Sequence, residues 1–323
     1  MKHGCQLLLA AVFAPLALTH TASAQTYPTK PIRLVVGFPQ GGPNDILGRL
    51  AAGWLTQRLG QPVEVENRGG NSGNIGTEVV VKAAPDGYTL LLVGPANAIS
   101  GALNQNLPFN FLTDIALIGG ITREALVLVV HPSVAAKTTP ELIALAKAGA
   151  ANLRMASTGV GSSPHLSGEL FKTMAGLTMP VVHYQGGGPA LKAMIAGEAE
   201  VMFEPMSASI EPVRKGQLRA LAVTTTTRSA ALPELPPLGD AVPGYEASAV
   251  TGLGAPKGTP ATVIATLNAA LNAAFTDPAM KAKLADTGGD PLPGTPEAFA
   301  KIMQGETEKW GRVVKAAGVK ATP

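Results

Sequence analysis

The chain has one cysteine in 323 residues, Cys5, and little else that announces an enzyme. Beyond position 5 there is no thiol for a disulfide framework, a thiolate metal site or a cysteine nucleophile. Past residue 24 only His131, His165 and His183 offer imidazoles, and none has a partner at metal-ligand spacing. No G-x-S-x-G elbow, G-x-x-x-x-G-K-[ST] loop or H-E-x-x-H pair occurs. Gly159-Val160-Gly161 meets Pro164 where a dinucleotide fingerprint needs its third glycine, and the triplets at 186–188 and 252–254 fail in the same way. No cofactor and no metal is expected.

A strong charge imbalance is also missing. The formal charge of +3 includes Lys2, the one charged residue of the first 24, so the remainder carries +2. That near-balance argues against nucleic acid or an anionic membrane surface as partner. No later apolar run approaches the ~20 residues of a membrane helix. Residues 1–24 themselves read as a secretory leader. Lys2 and His3 come first, then apolar Leu7 to Leu18, then Ala22-Ser23-Ala24 before Gln25 as a small-x-small cleavage site. An exported protein is expected.

What is present is an alternation of short apolar runs with helical patterns, which builds a largely parallel α/β sheet. Strands are expected at Ile32–Val36, Val63–Glu66, Leu90–Val93, Leu126–Val130, Arg154–Ala156, Val181–Tyr184, Val201–Phe203, Ala220–Val223 and Val250–Ala255. Helices are expected over Ile46–Leu59, Ile75–Lys82, from Pro140, over Pro164–Met174, Pro189–Ala196 and Ser207–Lys215, with three more at the C-terminus. Thr139-Pro140, Thr259-Pro260, Asp277-Pro278 and Thr295-Pro296 read as helix starts, a capping side chain followed by proline at the first turn. Four prolines between Leu232 and Tyr245 mark a crossover. The segment after it is too small to stand alone. The economical arrangement is two lobes joined by crossovers, lobe 1 from 25–122 and 246–323 and lobe 2 from 123–245, with a ligand cleft between them.

Three times a strand runs into a glycine or serine turn and then a helix. The first turn is Phe38-Pro39-Gln40-Gly41-Gly42-Pro43-Asn44-Asp45, the second Ser157 to His165, and the third Tyr184-Gln185-Gly186-Gly187-Gly188. Such turns aim backbone N–H groups and a helix dipole at one point, an anion site that needs no cationic side chain. Asp45 reads most simply as the N-cap of its helix, and an ionised Asp there would repel a bound anion unless its charge is turned away. His165 is equally a cleft contact or an ordinary first-turn residue. Glu204, at the end of the apolar strand Val201-Met202-Phe203, either faces the cleft or caps the helix near Ser207.

Taken together, several stretches resemble the tripartite tricarboxylate transporter substrate-binding proteins, the Bug family. They are Tyr27-Pro28 with Pro31 to Val36, Phe38-Pro39 with Gly41-Gly42 and Asp45, Val65-Glu66-Asn67-Arg68, Gly73-Asn74-Ile75-Gly76 and Ala84 to Leu90. His165 to Phe171, Leu218 to Val223 and Ala255 to Pro260 continue the likeness along nearly the whole chain after the leader. The resemblance implies a two-lobed periplasmic binding protein of the Venus-flytrap type, a monomer that captures a small carboxylate and hands it to the membrane subunits of a transporter. It places Phe38, Gly41, Gly42, Asn44, Asp45 and Asn97 on one side of the ligand. Tyr184, Gly186, Gly187 and Gly188 lie on the other, with Ser157, Thr158, Ser162, Ser163, His165, Glu204 and Thr251 shaping the rest. Against the family pattern, Pro43 removes one backbone donor, for which the Asn44 amide substitutes. Glu204 stands where many relatives carry Asp. Val250-Thr251 leaves room often filled by an aromatic residue, which favours a bulkier ligand such as an aromatic acid. Two alternatives stay open: a secreted α/β hydrolase-like enzyme, and a ligand-binding accessory of a membrane sensor.

Overall fold

The computed structural model describes residues 27–104, 106–149 and 153–320; the expected leader at 1–24, with Cys5, lies outside them. The first elements are β1 (Ile32–Val36), α1 (Pro43–Leu59), β2 (Val63–Asn67), α2 (Asn74–Val81), β3 (Thr89–Val93), α3 (Pro95–Leu103) and α4 (Phe111–Asp114). Then come β4 (Ile115–Val130), α5 (Thr139–Lys147), β5 (Met155–Ser157), α6 (Ser163–Ala175), β6 (Val181–His183), α7 (Gly187–Ala196), β7 (Val201–Pro205), α8 (Met206–Arg214) and β8 (Arg219–Val223). After the proline-rich crossover follow β9 (Ser248–Pro256), α9 (Ala261–Asn272), α10 (Pro278–Asp286), β10 (Gly289–Pro291) and α11 (Pro296–Ala317).

The strands join in the order β2-β1-β3-β9-β4-β7-β5-β6, with β8 and β10 also on β4. β4 is the axis. Its Ile115 to Ala125 pair antiparallel with β9, and its Leu126 to Val130 pair antiparallel with β7. One strand therefore belongs to both halves of the sheet. Leu126 to Val130 are all buried, as expected of a strand covered on both faces. The sequence pattern shows only this second half, because register shifts near Gly119 and Gly120 break the alternation of the first.

Strand direction follows from the pairings. β3 is antiparallel to β9 and so runs with β4, as do β1, which pairs parallel with β3, and β2, which pairs parallel with β1. β7 is antiparallel to β4, and β5 and β6 run with β7. Since β4 travels from the first half into the second, the C-terminal ends of β1, β2 and β3 point toward the second half. Those of β5, β6 and β7 point back toward the first. In open α/β sheets ligands gather at strand C-terminal ends; here six such ends share one gap.

The helix starts are mostly as the sequence implies. Thr295 accepts from the Ala298 N–H and Asp277 from the Met280 N–H. Two differ. The cap of α5 is Thr138, which accepts from the Glu141 N–H, and Thr259 caps nothing because its hydroxyl donates to the Pro256 carbonyl. α3, α4 and β10 lack a clear period in the sequence and were not expected.

Close packing holds β9 in place between β3 and β4. A Cβ at Gly252 would lie 2.3 Å from the Phe299 ring and 2.4 Å from the Gly119 carbonyl oxygen. A backbone carbonyl cannot retreat cheaply, so Gly252→Ala is expected to destabilise the fold by about 1–3 kcal/mol. Chemical denaturation measures it; an unchanged midpoint would mean that β9 tolerates a shift.

Candidate functional site

Six strand–turn–helix junctions lie at these strand ends, and the question at each is what satisfies the first N–H groups of the helix. At α3 the Asn97 side chain reaches back, its Oδ1 accepting from the Gly94 N–H at 2.8 Å. Its Nδ2 donates to Thr77 Oγ1, so this amide is fully engaged in the wall of the gap. At α6 the Ser162 hydroxyl accepts from the His165 N–H. At α8 the Glu124 carboxylate of β4 accepts from the Ser207 N–H at 3.2 Å and the Ser207 hydroxyl at 2.9 Å. Three of the six dipoles are thus met by the protein itself, and α2, whose N-cap Gly73 has no side-chain cap, starts packed against Phe38 and the Gly37 backbone.

α1 and α7 are different: no side chain caps either. Gly42, not Asp45, is the N-cap of α1, Pro43 opens the helix without a donor, and Asn44 and Asp45 bring its first amides. Asp45 is the third helical residue and is buried. One carboxylate oxygen accepts from Arg49 Nε and from the Gly41 N–H, both at 2.9 Å, and the other accepts from Asn67 Nδ2. The hydrogen bond from Arg49, above all, holds its pKa down to about 2. The charge that raised a difficulty in the sequence is therefore turned inward and matched. Its cost is the Gly41 amide, which faces Asp45 rather than the gap.

The turn leading to α1 is itself shaped by close approach. A Cβ at Gly37 would lie 2.9 Å from Gly73 Cα, and one at Gly76 would lie 2.9 Å from Gly37 Cα. Only glycines let these backbones stack. Phe38 packs on the resulting platform, its ring 3.2 Å from where a Gly73 Cβ would stand.

Across the gap, Gly186 enters α7 at φ 103, a conformation open to glycine. Gly187 and Gly188 then present the first helical amides. A Cβ at Gly187 would lie 3.6 Å from Glu204 Oε1 and 4.0 Å from Thr158 Cγ2, which places both side chains beside this helix start. Tyr184 is half-buried and its N–H donates to the Ser157 carbonyl. Ser157 is buried, its hydroxyl 2.7 Å from His183 Nδ1. Ser163 has a buried hydroxyl with no partner among the described residues.

His165 is buried, and Nδ1 accepts from the Gly161 N–H at 3.0 Å. The ring proton is therefore on Nε2, which faces Glu169 Oε1 at 3.6 Å. Both nitrogens serve to hold the second turn. That turn meets the first half directly, since a Cβ at Gly161 would lie 2.1 Å from the Leu103 side chain of α3. Thr251 is buried in β9 opposite Thr122 of β4, in the sheet rather than in a turn. On the far side of Asn97 from the glycine turns, a pocket of about 350 Å³ lies between α3, α4 and α11, lined by Asn97, Ser100, Asn104, Phe109 and Thr307 among others.

Glu204 stands out electrically. It is the penultimate residue of β7 and only 2% exposed, and its Oε2 has no partner among the described residues. Burial, with a smaller push from Glu124, raises its pKa to about 8. Glu124 is the group that the sequence did not single out, because an Arg-Glu pair inside a long strand carries no local sign of burial. It too is raised by burial.

A family model described as "Tripartite tricarboxylate transporter family receptor" matches residues 47–319. The chain belongs to this family. BugT of Bordetella pertussis is 35% identical over 301 residues, covering 92% of each chain. An R. palustris protein solved with adipate superposes with TM-score 0.82 at 34% identity, over 91% of this chain and 99% of that one. MatC from Rhodopseudomonas palustris with bound malate superposes at 0.78 and 30% identity, over 89% and 100%. These are two-lobed periplasmic binding proteins, and the receptor fold is the one found here. Among the described residues no helix is long and apolar enough to cross a membrane.

The buried Glu204 has a signature in stability. Its carboxyl ionises near 4.5 in the unfolded chain and near 8 in the folded one. Its stability contribution is thus fully present below pH 4.5 and is lost as pH rises through about 8. Glu204→Gln cannot ionise, so its melting temperature should match wild type at pH 5 and exceed it by several degrees at pH 8.5. A difference independent of pH, read by thermal unfolding, would contradict the burial of this carboxyl.

Proposed function

We propose that this protein captures a small carboxylate between the N-termini of α1 and α7 and delivers it to the membrane subunits of a tripartite tricarboxylate-type transporter. One observation carries the reading: α1 and α7 start toward the gap with no side-chain cap among the described residues, and they approach from opposite halves, α7 being the one uncapped start facing it from the second. Amides of Gly42, Asn44 and Asp45 grip one side, those of Gly187 and Gly188 the other. Each dipole contributes about 0.3–1 kcal/mol at exposed sites and up to about 2 when partly buried. Phe38, Asn97, Thr158, Ser162, Ser163 and Tyr184 shape the walls, and Ser157, His165 and Thr251 hold the framework behind them.

Two separated anion positions suit a dicarboxylate. The relatives solved with adipate and malate support that class. The protein works in the periplasm after removal of its leader near Ala24, as a monomer with no cofactor. Residues 25–122 and 246–323 form one lobe and 123–245 the other. Ligand bridging the gap favours closure, because only contacts made to both lobes distinguish the closed state from the open one.

A thermal-shift screen of residues 25–323 against mono-, di-, tricarboxylic and aromatic acids tests this. Binding to the native state alone adds about 2.7 kcal/mol at a hundredfold excess over Kd. A shift confined to dicarboxylic acids is the expected result, and a flat profile across every class would remove the carboxylate reading. Gly187→Val supplies the local test. The space beside Gly187 accepts a Cβ at ordinary contact distance, so the variant should fold while its side chain fills the site. Its affinity should fall at least about tenfold, or 1.4 kcal/mol; a folded variant with full affinity would place the ligand elsewhere.

A further inference from the structure

We propose that Glu204 contacts the ligand as a carboxylic acid, donating a hydrogen bond to the anionic group held at the start of α7, so that capture of the carboxylate requires a proton on the protein. It rests on the carboxylate reading given above and names the chemistry of the α7 side of the site.

The geometry leaves this carboxyl few other roles. Glu204 sits at the gap end of β7, with Oε1 beside the first residue of α7 and Oε2 buried without a partner among the described residues. Its counterpart across the gap, Asp45, has an arginine, an amide side chain and a backbone N–H to hold its charge. Glu204 has none of these. The elements packed against β7 supply no cation to it. From β4 comes Glu124, a like charge already engaged with Ser207, while Arg123 is turned to Glu246 and Ser248. β5 carries no ionisable group, and neither does the first turn of α7 before Lys192. On α6, His165 and Lys172 both face Glu169. On α8, Glu211 and Arg214 are exposed, and Glu211 pairs with Lys215 just past the end of the helix.

A carboxyl so placed has two states. With a proton, it is neutral, leaves the α7 amides to the ligand and offers one more donor to it. Without the proton, it is an anion beside an uncapped helix start and competes with the ligand for those amides. Both effects run in one direction, since loss of the proton weakens anion binding. Burial raises the pKa of Glu204 and of Glu124, in agreement with this picture, and lowers that of His183, which keeps its titration out of the alkaline range.

The test is the affinity of the wild-type protein, by calorimetry, from pH 6.5 to 9.5. The probe is the dicarboxylic acid giving the largest thermal shift, with adipate the first used; both its acid groups are ionised throughout. Affinity should weaken about tenfold per pH unit above about 8. Glu204→Gln, which donates through its amide and cannot ionise, should lose that slope, changing Kd less than about twofold over the range. Glu204→Leu should fold and bind at least about tenfold more weakly at pH 6.5. Glu124→Gln should keep the slope, with its midpoint moved to lower pH, because the like charge that helps Glu204 hold its proton is gone. A wild-type affinity that is flat to pH 9.5 or strengthens with pH, or a Glu204→Leu variant that binds as well as wild type, overturns the proposal while leaving carboxylate capture intact. If no dicarboxylic acid binds at pH 6.5, both readings fall together.

Discussion

Everything in the site depends on one strand running through both halves of the sheet. β4 pairs with β9 along its first part and with β7 and β8 along its second. The strands beyond β9 run with it, and β7, β5 and β6 run against it. Opposed polarity on either side of a shared strand is what turns six helix N-termini toward one gap. Had β5 to β7 run with β4, their turns would face away and no clamp would form. The same strand brings Glu124 to the start of α8 and carries Arg123 to the Glu246 crossover, tying the paths between the halves to the site.

Electrostatics then separates the helix starts by what already occupies them. Asn97, Ser162 and Glu124 meet the amides of α3, α6 and α8 from within the protein. α1 and α7 are left uncapped, and each has an acidic residue close by, handled in opposite ways. Asp45 is compensated on both oxygens and remains ionised. Glu204 is buried without compensation and holds its proton to about pH 8. A site for anions can thus contain two carboxyl groups without repelling its ligand, one by pairing and the other by staying neutral.

Much of this was legible in the sequence, for identifiable reasons. Strands such as Leu126–Val130 and helices such as Ser163–Ala175 show their period because packing demands it, and the three glycine turns show themselves because close backbone approach needs glycine. The first half of β4 was hidden by its register shifts, and α3 and β10 by the lack of a clear period. Asp45 was misplaced as an N-cap because its true partners, Arg49 and Asn67, are set by three-dimensional packing rather than by the local run. Glu124 was invisible for the same reason, since burial of a carboxylate beneath α8 depends on where β4 crosses. Residues of the turns could be read from composition; which helix starts are already capped could not.

A crystal structure of the protein with a bound dicarboxylic acid tests the central claim most directly. The clamp predicts one carboxylate within hydrogen-bond reach of the Gly42–Asp45 amides of α1 and the other at the Gly187 and Gly188 amides of α7, with both halves closed on it. An acid held by one half only, or seated in the pocket between α3, α4 and α11, would contradict it.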